Sequence, residues 1–200
     1  MTPPAAAPPS RLDGLLSGHL KRRRLRRVVP FIPAGSRILD VGCDDGALLG
    51  LLPAFSLYVG VDSREDLVHR DQQRLGRDNA SFIRAEFPDL AWPGPLFDRV
   101  VLTAVLEHLD GLGPVLLKLG SLVSDGGLLL ITTPAPASHL ILRAGAAVRL
   151  FARDSLAEHK RYYRKVDFAR LLGWRLECYR RFEFGLNQLV VLRRVARPGP

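Results

Sequence analysis

The residues of this 200-residue chain best suited to chemistry gather around "DVGCDDG" at 40–46 and a carboxylate further on, Asp62. The stretch lies between an apolar "RIL" and an apolar "ALLGLL", so a strand should run through a glycine turn into a helix. A dinucleotide fingerprint needs three glycines, and its frame here reads Gly42, Asp44 and Ala47, with no phosphate-binding P-loop lysine. Nicotinamide and flavin cofactors are therefore not expected. The frame that fits is Asp40-x-Gly42-x-x-x-Gly46, with Asp62 ending the next apolar run 22 residues after Asp40. A carboxylate there can accept hydrogen bonds from both hydroxyls of a ribose. Gly42 lets the backbone approach a ligand, and a helix starting near Gly46 would offer amide donors to a carboxylate. The ligand implied carries a ribose and an amino-acid end and needs no phosphate.

The elements that must position these residues follow from the hydrophobic pattern. "RLDGLLSGHLKRRRLRRVVPFIP" reads as a helix stopped by Pro30 and Pro33. From Arg37, short apolar runs alternate with helical stretches. "RILDVG", "LYVGVD", "SFIRAE", "FDRVVLTAV" and "GGLLLITTP" read as five strands. "ALLGLLPA", "REDLVHRDQQRLG" and "GPVLLKLGSLV" read as helices between them. Buried strands alternating with helices indicate a parallel sheet covered on both faces, with ligands at the carboxyl ends of the strands. "VDFARLLG" reads as a further helix, and "WRLECYRRFEF" and "NQLVVLRRV" as an antiparallel hairpin turning at Gly185-Leu186-Asn187. One domain is expected over 11–200, with a basic helix at 11–33 and a lid segment at 136–166. The Pro/Ala-rich residues 1–10 read as a disordered lead without the features of a signal peptide.

Charge is uneven along the chain. Residues 1–27 carry seven basic and one acidic side chain, residues 28–140 eight and fourteen, and residues 141–200 fourteen and five. An acidic centre with basic ends argues against a protein that coats polyanions and for a nucleotide domain with a basic rim. Six of the seven residues Lys21–Arg27 are basic, which suits a solvated helix face or contact with an anionic surface. Cys43 and Cys178 make neither a metal-ligand spacing nor a disulfide framework, so no metal is expected. No apolar run approaches the roughly 20 residues of a membrane span, and a cytoplasmic location is the expectation.

"ILDVGCDDGALL", "YVGVDSRE", "FDRVVLTAVLEHLDG", "DGGLLLITTPAP" and "FGLNQLVV" together resemble the class I S-adenosylmethionine-dependent methyltransferases, nearest the bacterial small-molecule group with a "VLEHL" segment. The resemblance spans about residues 20–195. It implies a doubly wound, Rossmann-like α/β sheet of seven strands, mostly parallel with an antiparallel last strand, and S-adenosylmethionine as cofactor. By the same resemblance Asp40 and the loop Gly42, Cys43, Asp44 and Gly46 would hold the methionine part, and Asp62 the ribose. Ser63 would lie beside the adenine, with Glu86 facing its amine and Phe87 lining the ring. Backbone around Leu102–Ala104, centred on Thr103, would receive the methionine amine. "RAE" at Arg84–Glu86 departs from the "GDA" usual in the family.

Position 44 is usually glycine in these enzymes, and Asp44 could strain a left-handed turn or repel the methionine carboxylate. Asp44 or Asp45 could instead cap the following helix. Methyl transfer from a sulfonium is an in-line displacement, so the protein has mainly to align the acceptor and exclude water. His108 in "LEHLD" and His159 in "AEHKRYYRK" are the candidate general bases for a hydroxyl acceptor. The basic lid, with Arg143, Arg149, Arg153, Lys160, Arg161, Arg164 and Lys165, suggests an anionic acceptor: a small molecule, a glycan or a lipid-linked intermediate. An RNA methyltransferase and a noncatalytic scaffold are the alternatives. Nucleic acid is disfavoured because no RNA-binding module accompanies the domain.

Overall fold

The computed structural model describes residues 11–136, 138, 162–169 and 171–195, with side chains from Gly18 onward. The lid segment falls largely outside these residues, and His159 with it.

A seven-stranded sheet forms the centre, in the order β3-β2-β1-β4-β5-β7-β6. Its strands are β1 (Arg37–Val41), β2 (Leu57–Asp62), β3 (Ala80–Arg84), β4 (Phe97–Thr103), β5 (Val123–Pro134), β6 (Trp174–Phe182) and β7 (Asn187–Arg194). β1 to β5 pair in parallel, and β7 runs antiparallel to both β5 and β6. Only the last strand is reversed, as the sequence pattern indicates.

The inner strands are apolar on both faces because both are covered. One face packs α1 (Arg11–Val28) and α2 (Glu65–Leu75), through Leu25, Val28 and Val68, against Tyr58, Phe82, Leu130 and Val191. The other packs α3 (Leu112–Gly120) and α4 (Lys165–Ala169), through Val115, Leu119 and Phe168, against Val100, Leu129, Ile131 and Val190.

Two boundaries differ from the sequence reading. No α-helix follows the glycine turn: residues after Gly46 make turns and a single 3-10 turn at Leu49–Leu51. Gly50 weakens helix propagation and Pro53 ends it, leaving too few residues for a nucleus. Leu48 and Leu49 are buried instead in the α1 face of the core. β5 begins at Val123 rather than Gly126, and its register against β4 shifts between Phe97 and Arg99. Gly126 (φ +73°) supplies the left-handed residue at this irregularity.

Candidate functional site

The chain leaves β1 towards β2 and β3, then returns to lay β4 on β1's other side. The two halves part at the carboxyl ends of β1 and β4, where doubly wound sheets bind ligands. A cavity of about 620 Å³ opens there, inside the roughly 300–1,000 Å³ range of small-molecule sites. Asp40, Gly42, Cys43, Asp44, Asp62, Ser63, Thr103 and His108 all line it. Gly46, Glu86 and Phe87 do not: Glu86 is exposed beyond β3, and Phe87 is packed into the core on the α3 side.

The sequence reading missed the wall contributed by α1: Lys21, Arg24 and Leu25 line the cavity. Arg64, Ala104 and Val105 line it as well. Gly42 (φ +69°) lies so close to Val105 that a methyl group on it would meet Val105 Cγ2 at 2.4 Å. Ala104 is also left-handed, at φ +56°. With Asp44 (φ +50°) on the other loop, a non-glycine residue is held left-handed on each of the two loops facing the cavity, and such backbone strain is a mark of functional sites.

Asp62, only 7% exposed, accepts hydrogen bonds from three donors. One carboxylate oxygen takes the Asp44 amide at 3.0 Å. The other takes the Arg64 amide at 3.1 Å and Arg64 Nε at 3.2 Å. The β2 carboxylate thus ties the glycine loop of β1 to the start of the next loop while facing the cavity.

Asp44 occupies the left-handed conformation (φ +50°) that glycine would take. Its carboxylate receives Lys21 Nζ at 2.6 Å and Arg64 Nη2 at 2.6 Å. Burial alone would raise its pKa, but these two cations outweigh that and hold it below the usual carboxylate range. Lys21 also pairs with Asp45, whose carboxylate accepts the Ala47 amide at 3.0 Å. The charge that could have repelled a methionine carboxylate is therefore balanced by two cations lining the same cavity.

Asp40, 3% exposed, accepts the Tyr58 hydroxyl at 2.8 Å. Burial pushes its pKa up to about 7, against the opposing pull of Tyr58 and Lys21. The VLEHL segment divides its work. Glu107 is buried and accepts the Thr133 hydroxyl at 3.0 Å, fastening the 3-10 turn Leu106–His108 to β5. His108, the next residue, lines the cavity.

These residues suit a nucleoside with a charged amino-acid end. A glycine cradle, the Asp62 carboxylate and two cations converge on one cavity. The buried Thr103 Oγ1 and Arg24 Nε in its wall have no hydrogen-bond partner among the described residues.

Fold and site together define a nucleoside-binding α/β protein of the class I methyltransferase type. A family model described as a methyltransferase domain matches residues 16–175, and the chain belongs to that family. S-adenosylmethionine is the cofactor of this class. An uncharacterized methyltransferase of Mycobacterium tuberculosis is 35% identical over 105 residues, covering 52% of this chain and 53% of that protein. A ubiquinone biosynthesis O-methyltransferase of Mesorhizobium japonicum is 29% identical over 111 residues, covering 54% and 44%. The chain spans about half the length of the curated relatives it matches. Among solved structures, the magnesium protoporphyrin IX methyltransferase of Synechocystis PCC 6803 superposes with TM-score 0.67 at 16% identity, covering 95% of this chain and 90% of that one. An S-adenosylmethionine-dependent methyltransferase of Mesorhizobium loti gives 0.64 at 18% identity, covering 90% and 100%. Among the described residues, no helix is long and apolar enough to cross a membrane.

Proposed function

We propose that the protein transfers a methyl group from S-adenosylmethionine to a small, anionic acceptor, free or carried on a glycan or lipid. The observation that carries this reading is the meeting of Asp62, the Gly42 turn and His108 in one switch-point cavity.

Asp62 would hold the ribose, with Ser63 beside the adenine. Asp40, Gly42, Cys43 and the backbone at Thr103 would hold the amino-acid end, beside Lys21 and Arg24. S-adenosylmethionine brings a methyl group already activated on a sulfonium. The protein's contribution is alignment, exclusion of water and, for a hydroxyl acceptor, a base. His108 is our candidate for that base, with His159 the second. The basic lid residues support an anionic acceptor.

Transfer of an isotopically labelled methyl group to pairs of small acceptors differing in one anionic group tests the reading. Preference for the anionic member is expected. Equal use of neutral members would contradict the acceptor class, and absence of transfer despite cofactor binding would contradict the enzyme.

Asp40 makes a separate expectation about pH. With its pKa raised to about 7, the native state holds a proton there that the unfolded chain releases near its ordinary value of 3.8. This group's contribution to stability is therefore full in acid and lost as pH rises towards about 7. A cationic cofactor beside Asp40 favours the anion, so binding should expel the proton. Affinity for S-adenosylmethionine should then rise between about pH 6 and pH 8. Calorimetry in buffers of different ionisation enthalpy should detect proton release, and an Asp40→Asn variant should lose it.

A further inference from the structure

The six basic residues of Lys21–Arg27 do not form one face. Lys21 and Arg24 line the cavity, while Arg22, Arg23, Arg26 and Arg27 are exposed. Two of the exposed set, Arg23 and Arg27, are fastened to one feature, the β6–β7 turn. Arg27 stacks over the Phe182 ring at 5.5 Å, and Arg23 Nε lies 3.7 Å from Glu183 Oε1.

That turn is unusual in two respects. Glu183 (φ +52°), Phe184 (φ +56°) and Gly185 (φ +84°) are consecutively left-handed, although asparagine or glycine would fill the first two positions with less strain. The middle residue is a phenylalanine whose side chain is fully exposed. The fold gains no burial from this aromatic ring and bears a backbone penalty to present it. Phe184 is the one fully exposed aromatic among the described residues.

The turn is also placed at the working end of the sheet. Asn187 pairs with Pro134 at the end of β5, and the Ala135 amide donates to the Leu186 carbonyl at 2.8 Å. β5 lies beside β4, whose Thr103 lines the cavity. Arg180 and Arg181, both exposed, precede the turn on edge strand β6.

We propose that the Phe184 turn and the exposed arginines of α1 and β6 are a docking surface for an anionic lipid bilayer, with Phe184 as the inserted wedge. A single exposed aromatic at a hydrogen-bonded turn beside basic side chains matches the interfacial mode of membrane attachment. A single-stranded nucleic-acid surface instead lays several aromatics along a groove. Docking here holds the cavity end of the sheet near the membrane, where a lipid-borne acceptor would be presented. The surface does not depend on the methyl-transfer reading.

The test is flotation of the full chain with vesicles of phosphatidylcholine alone and with added phosphatidylglycerol. Binding is expected only with the anionic lipid, and should weaken with salt. Phe184→Asn suits the left-handed turn, so its thermal midpoint should not fall, yet partitioning should drop about tenfold. Replacing Arg22 and Arg26 together with glutamine should lower it about 30-fold. Neither change should alter affinity for S-adenosylmethionine, a separate readout of the cavity. Absence of vesicle binding, or unchanged binding by the Phe184 variant, would overturn the proposal. So would loss of binding to a single-stranded RNA in that variant with no vesicle binding by either protein.

Discussion

Replacing Asp62 with asparagine is expected to lower affinity for S-adenosylmethionine by about 100-fold or more. The carboxylate does two jobs, and asparagine can do neither fully. Its two oxygens accept the Asp44 amide on one side and the Arg64 amide and Nε on the other. Asparagine must turn its NH₂ group towards one of these donors, leaving a buried donor unpaired at a cost of about 1–3 kcal/mol. In the proposed reading it would also replace a charge-assisted hydrogen bond to the ribose with a neutral one, which is roughly half as strong. Calorimetric titration measures the loss, and circular dichroism checks that the sheet is intact. A change smaller than about fivefold would mean that Asp62 only braces the loop.

The second large effect is on stability. Gly42→Ala is expected to destabilise the fold by about 2–4 kcal/mol. About 1 kcal/mol of that comes from holding a side chain in the left-handed region. The rest comes from driving a methyl group to 2.4 Å from Val105 Cγ2. These parts are separable. Adding Val105→Ala makes room for the methyl but leaves the backbone strain, so the double variant should be more stable than additivity allows. Denaturant unfolding of the four proteins closes the cycle. Strict additivity would contradict the close approach of the two loops.

The sheet was legible because buried parallel strands are continuous apolar runs, and five of them stand apart in the chain before the final hairpin. The core of the site was legible for a related reason. Asp40, Gly42 and Asp62 sit at strand ends, where register alone brings them together across β1 and β2. What lay hidden came from distant elements. Nothing in the run Lys21–Arg27 marks Lys21 as the residue that reaches Asp44 across 23 positions. Arg64 looks like any helix-start arginine until the fold closes it onto Asp44 and Asp62. The helix expected after Gly46 failed because its apolar spacing was right, but Gly50 and Pro53 left it no length.

Asp44 had two opposed readings from sequence, a capping residue or a blemish in the cofactor loop. It acts instead as a strut between α1 and the loop after β2, and its left-handed strain is offset by the ion pairs it makes. Pairs this exposed contribute at most about 1 kcal/mol each. Glycine would remove about that much strain while releasing them. Asp44 is thus close to neutral for the fold, and in the proposed reading it permits binding.

Titrating the purified natural chain and its Asp44→Gly variant with S-adenosylmethionine tests this account most directly. The expected result is one site with a dissociation constant on the order of micromolar in the natural chain, changed less than about tenfold by the glycine. No binding by the natural chain, with binding restored in the variant, would contradict it and make the cavity a disabled relic.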